Sequence, residues 1–204
     1  MSDIFGVTLK EHMSAFRVNL TPESISNLIR YYQLVQQWNP RLHLVAPCPA
    51  EEFAIRHVLE SLIILQYMDH GARVADVGSG AGLPIIPCLI ARPDLSAVLI
   101  ESSTRKSVFL REALRRLDRA DSATVVCARF EDIESPEANY LTCRALDQFI
   151  SKVPSLIKWA RPSTTLLFFG GDSMSRELKK ERVDFQSAHI PHSERRSLFI
   201  SQKM

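Results

Sequence analysis

The sequence lacks the features by which membrane, secreted and metal-binding proteins are usually recognised. Its longest purely apolar runs are far shorter than a membrane span. Its start, Met1-Ser2-Asp3, has neither the basic region nor the apolar core of a signal peptide. The four cysteines form no C-x-x-C pair: Cys48, Cys88, Cys127 and Cys143. We therefore expect a cytoplasmic protein with reduced thiols, without a metal and without a membrane partner.

The net charge is also low, at +2 for 204 residues, which by itself is weak evidence for a nucleic-acid partner. Basic residues are nevertheless concentrated in two helix-like stretches. The first contains Arg105, Lys106, Arg111, Arg115, Arg116 and Arg119, and the second contains Arg176, Lys179, Lys180 and Arg182. Such clusters can follow the phosphates of a nucleic acid. A solvated helix face is the commoner meaning of any single cluster, so both interpretations stay open.

The length and the hydrophobic fraction of 46% suit one globular domain over residues 1–204. Residues 1–70 predict an N-terminal helical extension. It begins with a weakly amphipathic helix over 2–16. A second helix starts at Thr21-Pro22-Glu23 and stops at Asn39-Pro40, and a third covers 51–68.

Residues 71–204 alternate between strand-like and helix-like patterns. Strands are predicted at 73–77, 97–101, 123–127, 139–143 and 164–169, and helices at 83–91, 104–118, 146–159 and 174–182. This alternation predicts an α/β fold, a parallel sheet covered by helices on both faces. Two further strand-like pieces lie within 183–202, and we expect the last to be an antiparallel edge strand. The prediction is a Rossmann-like core with a mostly parallel seven-stranded sheet.

The most informative stretch is Asp76-Val77-Gly78-Ser79-Gly80-Ala81-Gly82-Leu83-Pro84, which follows an apolar strand pattern. A strand, a glycine loop and a helix start bring a nucleotide-like ligand against backbone N–H groups. The dinucleotide fingerprint G-x-G-x-x-G fails, because Leu83 or Ile85 stands where its third glycine would be. No Gly-Lys-Ser/Thr follows, which excludes a P-loop.

The pattern Asp76-x-Gly78-x-Gly80-x-Gly82 is similar to motif I of the methyltransferases that use S-adenosylmethionine. The next predicted strand ends at Glu101, where a carboxylate can accept hydrogen bonds from a ribose diol. A glycine-rich turn without a ligand would not need that acidic residue. We therefore predict S-adenosylmethionine as the cofactor.

Further motifs resemble the bacterial 16S rRNA guanine-N7 methyltransferases, the RsmG or GidB family. They are Arg56-His57-Val58-Leu59-Glu60-Ser61, Ile100-Glu101-Ser102, Ala128-Arg129-Phe130-Glu131-Asp132 and Cys143-Arg144-Ala145, together with the glycine motif. The resemblance runs nearly end to end. It implies a class I methyltransferase fold, methyl transfer to N7 of a guanine, and 16S rRNA or the small ribosomal subunit as the partner of a monomeric enzyme.

The resemblance also implies which residues form the site. Those expected to bind the cofactor are Asp76, Gly78, Ser79, Gly80, Gly82, Leu83, Glu101, Phe130, Glu131 and Arg144. Those expected near the substrate are Arg56, His57 and Arg144. We name no catalytic residue, because guanine N7 carries a lone pair and no proton. Its methylation needs alignment rather than a general base.

The chain departs from the family pattern at four positions. His43 and Val45 stand where the family has Asn and Thr, Ile85 stands where it has Gly, and Gly170 replaces a basic residue. Two alternatives follow. One is a related methyltransferase with another RNA or small-molecule acceptor. The other is an RNA-binding module that keeps the fold without catalysis.

Overall fold

The computed structural model describes residues 2–144 and 149–203, and a seven-stranded sheet forms its centre. The strands are β1 (Arg73–Val77), β2 (Ser96–Ile100), β3 (Ala123–Val126), β4 (Tyr140–Cys143), β5 (Thr165–Gly170), β6 (Gln186–His189) and β7 (Ser197–Gln202). Their order across the sheet is β3-β2-β1-β4-β5-β7-β6. Strands β1 to β5 are parallel, and β7 pairs antiparallel with both β5 and β6.

The predicted fold class is confirmed, and each of the first five strands lies within a residue of its predicted place. The predicted antiparallel C-terminal strand is confirmed as well, but its expected place at the edge of the sheet is wrong. Strand β7 lies between β5 and β6, so β6 forms the edge. The side chains of β7 are mostly buried while those of β6 are mostly exposed, which explains why the apolar strand takes the inner place.

Helices cover both faces of the sheet. They are α1 (Ser2–His12), α2 (Pro22–Leu42), α3 (Ala50–Glu52), α4 (Glu60–Leu62), α5 (Ile85–Ala91), α6 (Thr104–Arg116), α7 (Phe149–Trp159) and α8 (Asp172–Lys180). The N-terminal helices pack with α5 and α6 into one apolar core, while α7 and α8 pack into a second. Side chains of β1 alternate between them: Val74 joins the first core, and Ala75 and Val77 join the second.

Helix α2 ends two residues later than the sequence predicts. It continues through Pro40 to Leu42 and terminates at His43, whose φ is 48°. The N–H of His43 donates to the carbonyl of Asn39 and closes the last turn. The helix thus accommodates Pro40 in its last turn, and the stop predicted at Asn39-Pro40 is wrong. Residues 146–148 of another predicted helix lie outside the described residues.

The third predicted helix, over 51–68, is present but is not a regular α-helix. A π-helix over Phe53–Leu59 joins α3 to α4, and a 3₁₀ turn over Ile63–Tyr67 follows. The wider winding is visible in the N–H of Glu60, which donates to the carbonyl of Ile55 five residues earlier. Such insertions often occur at functional sites. Among the described residues no helix is both long and apolar enough to cross a bilayer.

Candidate functional site

A cavity of about 860 Å³ opens at the carboxyl ends of β1, β2 and β4. Ligands bind at this end of open α/β sheets. Most of the predicted site residues line it: His57, Gly78, Ser79, Gly80, Leu83, Glu101, Phe130, Glu131 and Arg144. Three others do not, namely Arg56, Asp76 and Gly82.

The glycine loop is built from left-handed backbone that side chains disfavour. Gly78 has a φ of 72° and Gly80 a φ of 52°. The N–H groups of Gly78 and Ser79 both donate to the carbonyl of Ile100, at 2.8 and 3.2 Å. The end of β2 therefore fixes the start of the loop, and the bare backbone of Gly78 and Gly80 faces the cavity.

Glu101 connects the loop to the next helix. Its Oε2 accepts a hydrogen bond from the N–H of Gly80 at 2.8 Å, and its Oε1 accepts one from the N–H of Ser103, also at 2.8 Å. The side chain is 7% exposed and lines the cavity. A carboxylate has about four acceptor positions, so two remain for hydroxyl groups of a ligand.

Asp76 lies beneath the loop rather than in the cavity wall. It is fully buried; its Oδ1 accepts a hydrogen bond from Thr142 at 2.8 Å, and its Oδ2 has no partner. Burial raises the pKa of Asp76 to about 7, and the neighbouring hydroxyls of Ser79 and Thr142 oppose that shift. Its predicted contact with the cofactor stays a prediction.

Gly82 has a packing role that the sequence alone does not reveal. Its φ is 85°, and a Cβ placed on it would lie 2.3 Å from Cδ1 of Ile86 in α5. The third glycine of the motif therefore lets the loop approach the helix that follows. Its predicted role in binding the cofactor stays a prediction.

One end of the cavity combines an aromatic ring with charged side chains. Phe130 follows β3 and is buried against Trp159, with 5.6 Å between ring centroids. The Nζ of Lys152 lies 5.7 Å from the centre of the Phe130 ring and 3.1 Å from an oxygen of Glu131. Lys152 was not among the predicted site residues, because a lone lysine on a helix carries no recognisable sequence pattern.

The other end is formed by the π-helix and by Arg144. His57 lines the cavity, whereas the exposed side chain of Arg56 points to Glu52 and forms an ion pair with it. Burial, together with Arg144 and Arg56, lowers the pKa of His57 to about 4, so the imidazole is neutral at pH 7. Arg144 is largely buried and forms an ion pair with Glu60 at 3.1 Å. The Arg56–Glu60 pair that regular helical spacing suggests is absent.

A short segment of the N-terminal extension forms one wall of the cavity. Leu44, Val45 and Ala46 line it. The side-chain amide of Asn39 holds this segment, donating to the carbonyl of Val45 and accepting from its N–H, both at 3.0 Å. Val45 departs from the family pattern, but the clamp uses only its backbone. None of these three residues was among the predicted site residues.

Two other departures from the family pattern, Ile85 and Gly170, are explained by how they pack. Ile85 is fully buried at the start of α5. A Cβ on Gly170 would lie 2.5 Å from the Cβ of Met174, itself fully buried. Met174 therefore occupies the space that a larger residue at the end of β5 would need, and no side chain reaches the cavity from Gly170.

The basic cluster of α6 divides between two ends of the helix. Ser102, Ser103 and Lys106 line the cavity. Arg115 lies ten residues beyond Arg105, roughly 15 Å farther along the axis at 1.5 Å per residue. Arg115 and Arg116 both pair with Glu112 and line a separate cleft beside Arg30. The first turn of the helix therefore lies at the cavity, whereas Arg115 and Arg116 lie away from it.

Three features of the cavity suit it to bind S-adenosylmethionine. Two glycines with positive φ expose backbone to it, a buried carboxylate with free acceptor positions ends β2, and a buried aromatic ring follows β3. Among the described residues no group of three or more His, Cys, Asp or Glu could hold a metal ion.

Residues 24–202 match the family model described as rRNA small subunit methyltransferase G, or GidB. The chain belongs to this family. A ribosomal RNA small subunit methyltransferase G from Xanthomonas campestris pv. campestris (strain B100) is 38% identical over 154 residues, which cover 75% of this chain and 72% of that protein. Its counterpart from Neisseria gonorrhoeae (strain NCCP11945) is 33% identical over 153 residues, 74% of this chain and 73% of that protein.

Solved structures share the fold of this GidB family member. An RNA methyltransferase from Salinibacter ruber in complex with S-adenosyl-L-homocysteine superposes with a TM-score of 0.57 at 19% identity, covering 77% of this chain and 93% of that one. A ribosomal protein L11 methylase from Lactobacillus delbrueckii subsp. bulgaricus gives 0.59 at 15% identity, covering 73% and 79%. The predicted family, its enzyme class and its S-adenosylmethionine cofactor are thus confirmed.

Proposed function

We propose that the protein transfers a methyl group from S-adenosylmethionine to N7 of a guanine in 16S rRNA. One observation carries the proposal: the glycine loop, Glu101 and His57 line a single cavity in a chain of the GidB family. The relatives carry the name ribosomal RNA small subunit methyltransferase G. The choice of guanine N7 follows from the motifs shared with that family.

The residues around the cavity divide between binding the donor and positioning the acceptor. S-adenosylmethionine, when bound, supplies an electrophilic methyl group on a positively charged sulfur. The loop at Gly78 and Gly80 would hold its amino-acid part, Glu101 its ribose hydroxyls, and the segment at Phe130 and Glu131 its adenine. His57 and the wall at Val45 remain to confine the acceptor base.

Guanine N7 presents a lone pair and carries no proton, so the protein has no proton to remove. The main contribution of the site is then to hold the base in line with the methyl group. The purine becomes positively charged as it is methylated. A neutral His57 adds no repulsion to that charge, and the positive charge of Arg144 is offset by Glu60.

Methyl incorporation with nucleoside mapping tests the proposal. Purified protein is incubated with radiolabelled S-adenosylmethionine and with small ribosomal subunits or 16S rRNA that lack the modification. The label is expected in 7-methylguanosine from a single rRNA fragment. Label in another nucleoside would instead support a related RNA methyltransferase.

Donor binding, measured by calorimetry, separates the remaining alternatives. Donor binding without incorporation into any rRNA would reject the rRNA substrate and favour a small-molecule acceptor. No donor binding at all would favour the non-catalytic RNA-binding module.

We also expect the protein to be a monomer, which sedimentation would check. We expect a cytoplasmic location, which fractionation would check.

A further inference from the structure

The terminal nitrogens of Arg144 form hydrogen bonds inside the protein. Its Nη1 donates to the carbonyl of His57 at 3.0 Å and to the hydroxyl of Ser61 at 2.8 Å. Its Nη2 donates to the carbonyl of Arg56 and to Glu60, the latter at 3.1 Å. The four N–H groups on the two terminal nitrogens therefore all have partners. A phosphate or a base could engage them only by breaking these bonds.

The partners of Arg144 lie where the π-helix leaves the regular winding. The N–H of Glu60 reaches back five residues to Ile55 rather than four to Arg56. The carbonyls of Arg56 and His57 instead receive the guanidinium, and the hydroxyl of Ser61 adds a second donor to the carbonyl of His57. This wider turn carries His57 to the cavity wall, while Arg56 turns outward.

A buried carboxylate fixes Arg144 in turn. Glu60 is 1% exposed and binds Arg144 through Oε2, while Arg196 approaches both of its oxygens, at 3.0 and 2.6 Å. Burial raises the pKa of Glu60, and the two arginines oppose that shift. The network thus joins the end of β4, the π-helix and the residue that precedes β7. Breaking such a buried pair is costly, because one charge is left without its partner.

We infer that Arg144 is a positioning residue: it holds the π-helix of Phe53–Leu59 so that His57 faces the acceptor side of the cavity. Glu60 and Arg196 in turn fix the guanidinium of Arg144. The expected change in kcat rests on the proposed function, because it is measured as methyl transfer to RNA. This positioning role departs from the sequence-based expectation that Arg144 contacts the substrate. Lysine cannot replace Arg144 here, because a single ammonium cannot reach two carbonyls, a hydroxyl and a carboxylate in one plane.

The test compares Arg144→Lys with two variants that act behind the cavity wall, Glu60→Gln and Ser61→Ala. Neither Glu60 nor Ser61 lines the cavity. For all three we expect the donor Kd to stay within twofold and kcat at saturating RNA to fall, by tenfold or more for Arg144→Lys and severalfold for Ser61→Ala. The slope of RNA affinity against salt should not change.

The imidazole resonances of His57 give a readout that needs no RNA. They are assigned by their loss in His57→Gln, and they should shift in all three variants. Arg73→Ala is the matched control, an exposed arginine that pairs with Glu137 and does not line the cavity. It should leave the spectrum and kcat unchanged.

A direct phosphate contact by Arg144 predicts the opposite pattern. Arg144→Lys would then alter RNA binding and its salt slope, while Ser61→Ala and the His57 resonances would be unaffected. That result overturns the inference, and so do unchanged kcat and unchanged resonances in all three variants. If Arg144→Lys fails to fold by circular dichroism, Ser61→Ala decides, since it removes one hydroxyl only. If the wild type methylates no rRNA, the proposed function fails while the His57 spectrum still tests the positioning role.

Discussion

Glu101 accepts a hydrogen bond from the backbone N–H of Gly80 at 2.8 Å, so the carboxylate that ends β2 holds the loop that follows β1. Its second oxygen accepts from Ser103 at the start of α6. One side chain therefore connects three segments around the cavity and still has acceptor positions for a ligand. Its loss should affect both the donor and the loop.

Replacing Glu101 with alanine should lower donor affinity ten- to a hundredfold. A lost acceptor for the ribose hydroxyls costs about 1–3 kcal/mol. The melting temperature should fall as well, because the N–H groups of Gly80 and Ser103 lose their partner. Calorimetry and thermal unfolding measure the two effects. The control is Glu137→Ala, because Glu137 is an exposed carboxylate away from the cavity. Equal donor affinity in both variants would show that Glu101 is not part of the binding site.

Two glycines of the motif should respond differently to substitution. Gly78→Asp puts a charged side chain on left-handed backbone at the cavity wall, and we expect donor binding to be lost while the fold is kept. Gly82→Ala forces a Cβ against Ile86, and we expect mainly a lower melting temperature. Calorimetry of Gly78→Asp alone checks the motif. Normal donor binding by this variant would show that the motif has been assigned wrongly.

The buried Asp76 should make stability fall as pH rises from about 4 to about 7. Its pKa is raised to about 7 in the folded protein, whereas an unfolded aspartate titrates near 3.9. Within that window the folded state carries a proton that the unfolded state lacks, so the free energy of unfolding decreases with pH. Asp76→Asn keeps an acceptor for Thr142 and cannot titrate. Its melting temperature relative to wild type should be higher at pH 8 than at pH 5.

His57 contributes with the opposite sign over almost the same range. Its pKa is lowered to about 4, so between about 4 and 6.5 the unfolded state binds the extra proton and stability rises with pH. In the wild type the two contributions oppose each other. Asp76→Asn should therefore unmask a rising stability curve and His57→Gln a falling one. Identical pH profiles for the two variants would contradict both assignments.

The two ends of α6 provide a matched test of where RNA lies. Neutralising Arg105 and Lys106 at the cavity end should weaken RNA binding and reduce its salt slope, because phosphate contacts release counterions. Neutralising Arg115 and Arg116 removes the same charge roughly 15 Å farther along the helix and should change the slope less. Both variants should keep wild-type donor affinity. A larger effect of the second pair would place the RNA on the cleft beside Arg30.

The parts of the fold that depend on local pattern were predictable from sequence. A short apolar run located β1 at Arg73–Val77, and the glycine spacing identified the loop that lines the cavity. The π-helix was not predictable, because its hydrophobic pattern is that of an ordinary helix. Two of its backbone carbonyls accept hydrogen bonds from Arg144, more than eighty residues away. Lys152 and the wall at Val45 could not be predicted for the same reason, since only the tertiary fold brings them to the cavity.

The position of β7 has a consequence during synthesis. Residues 197–202 are made after every other strand, yet they lie between β5 and β6. Until they leave the ribosome, β5 has an open edge that can pair with other chains, and β6 has no neighbour in the sheet. Arg196, the partner of Glu60, arrives at the same moment. A nascent chain stalled before Ser197 should therefore be sensitive to proteases and prone to aggregate, and release of the last strand should complete the sheet and the wall around His57 together.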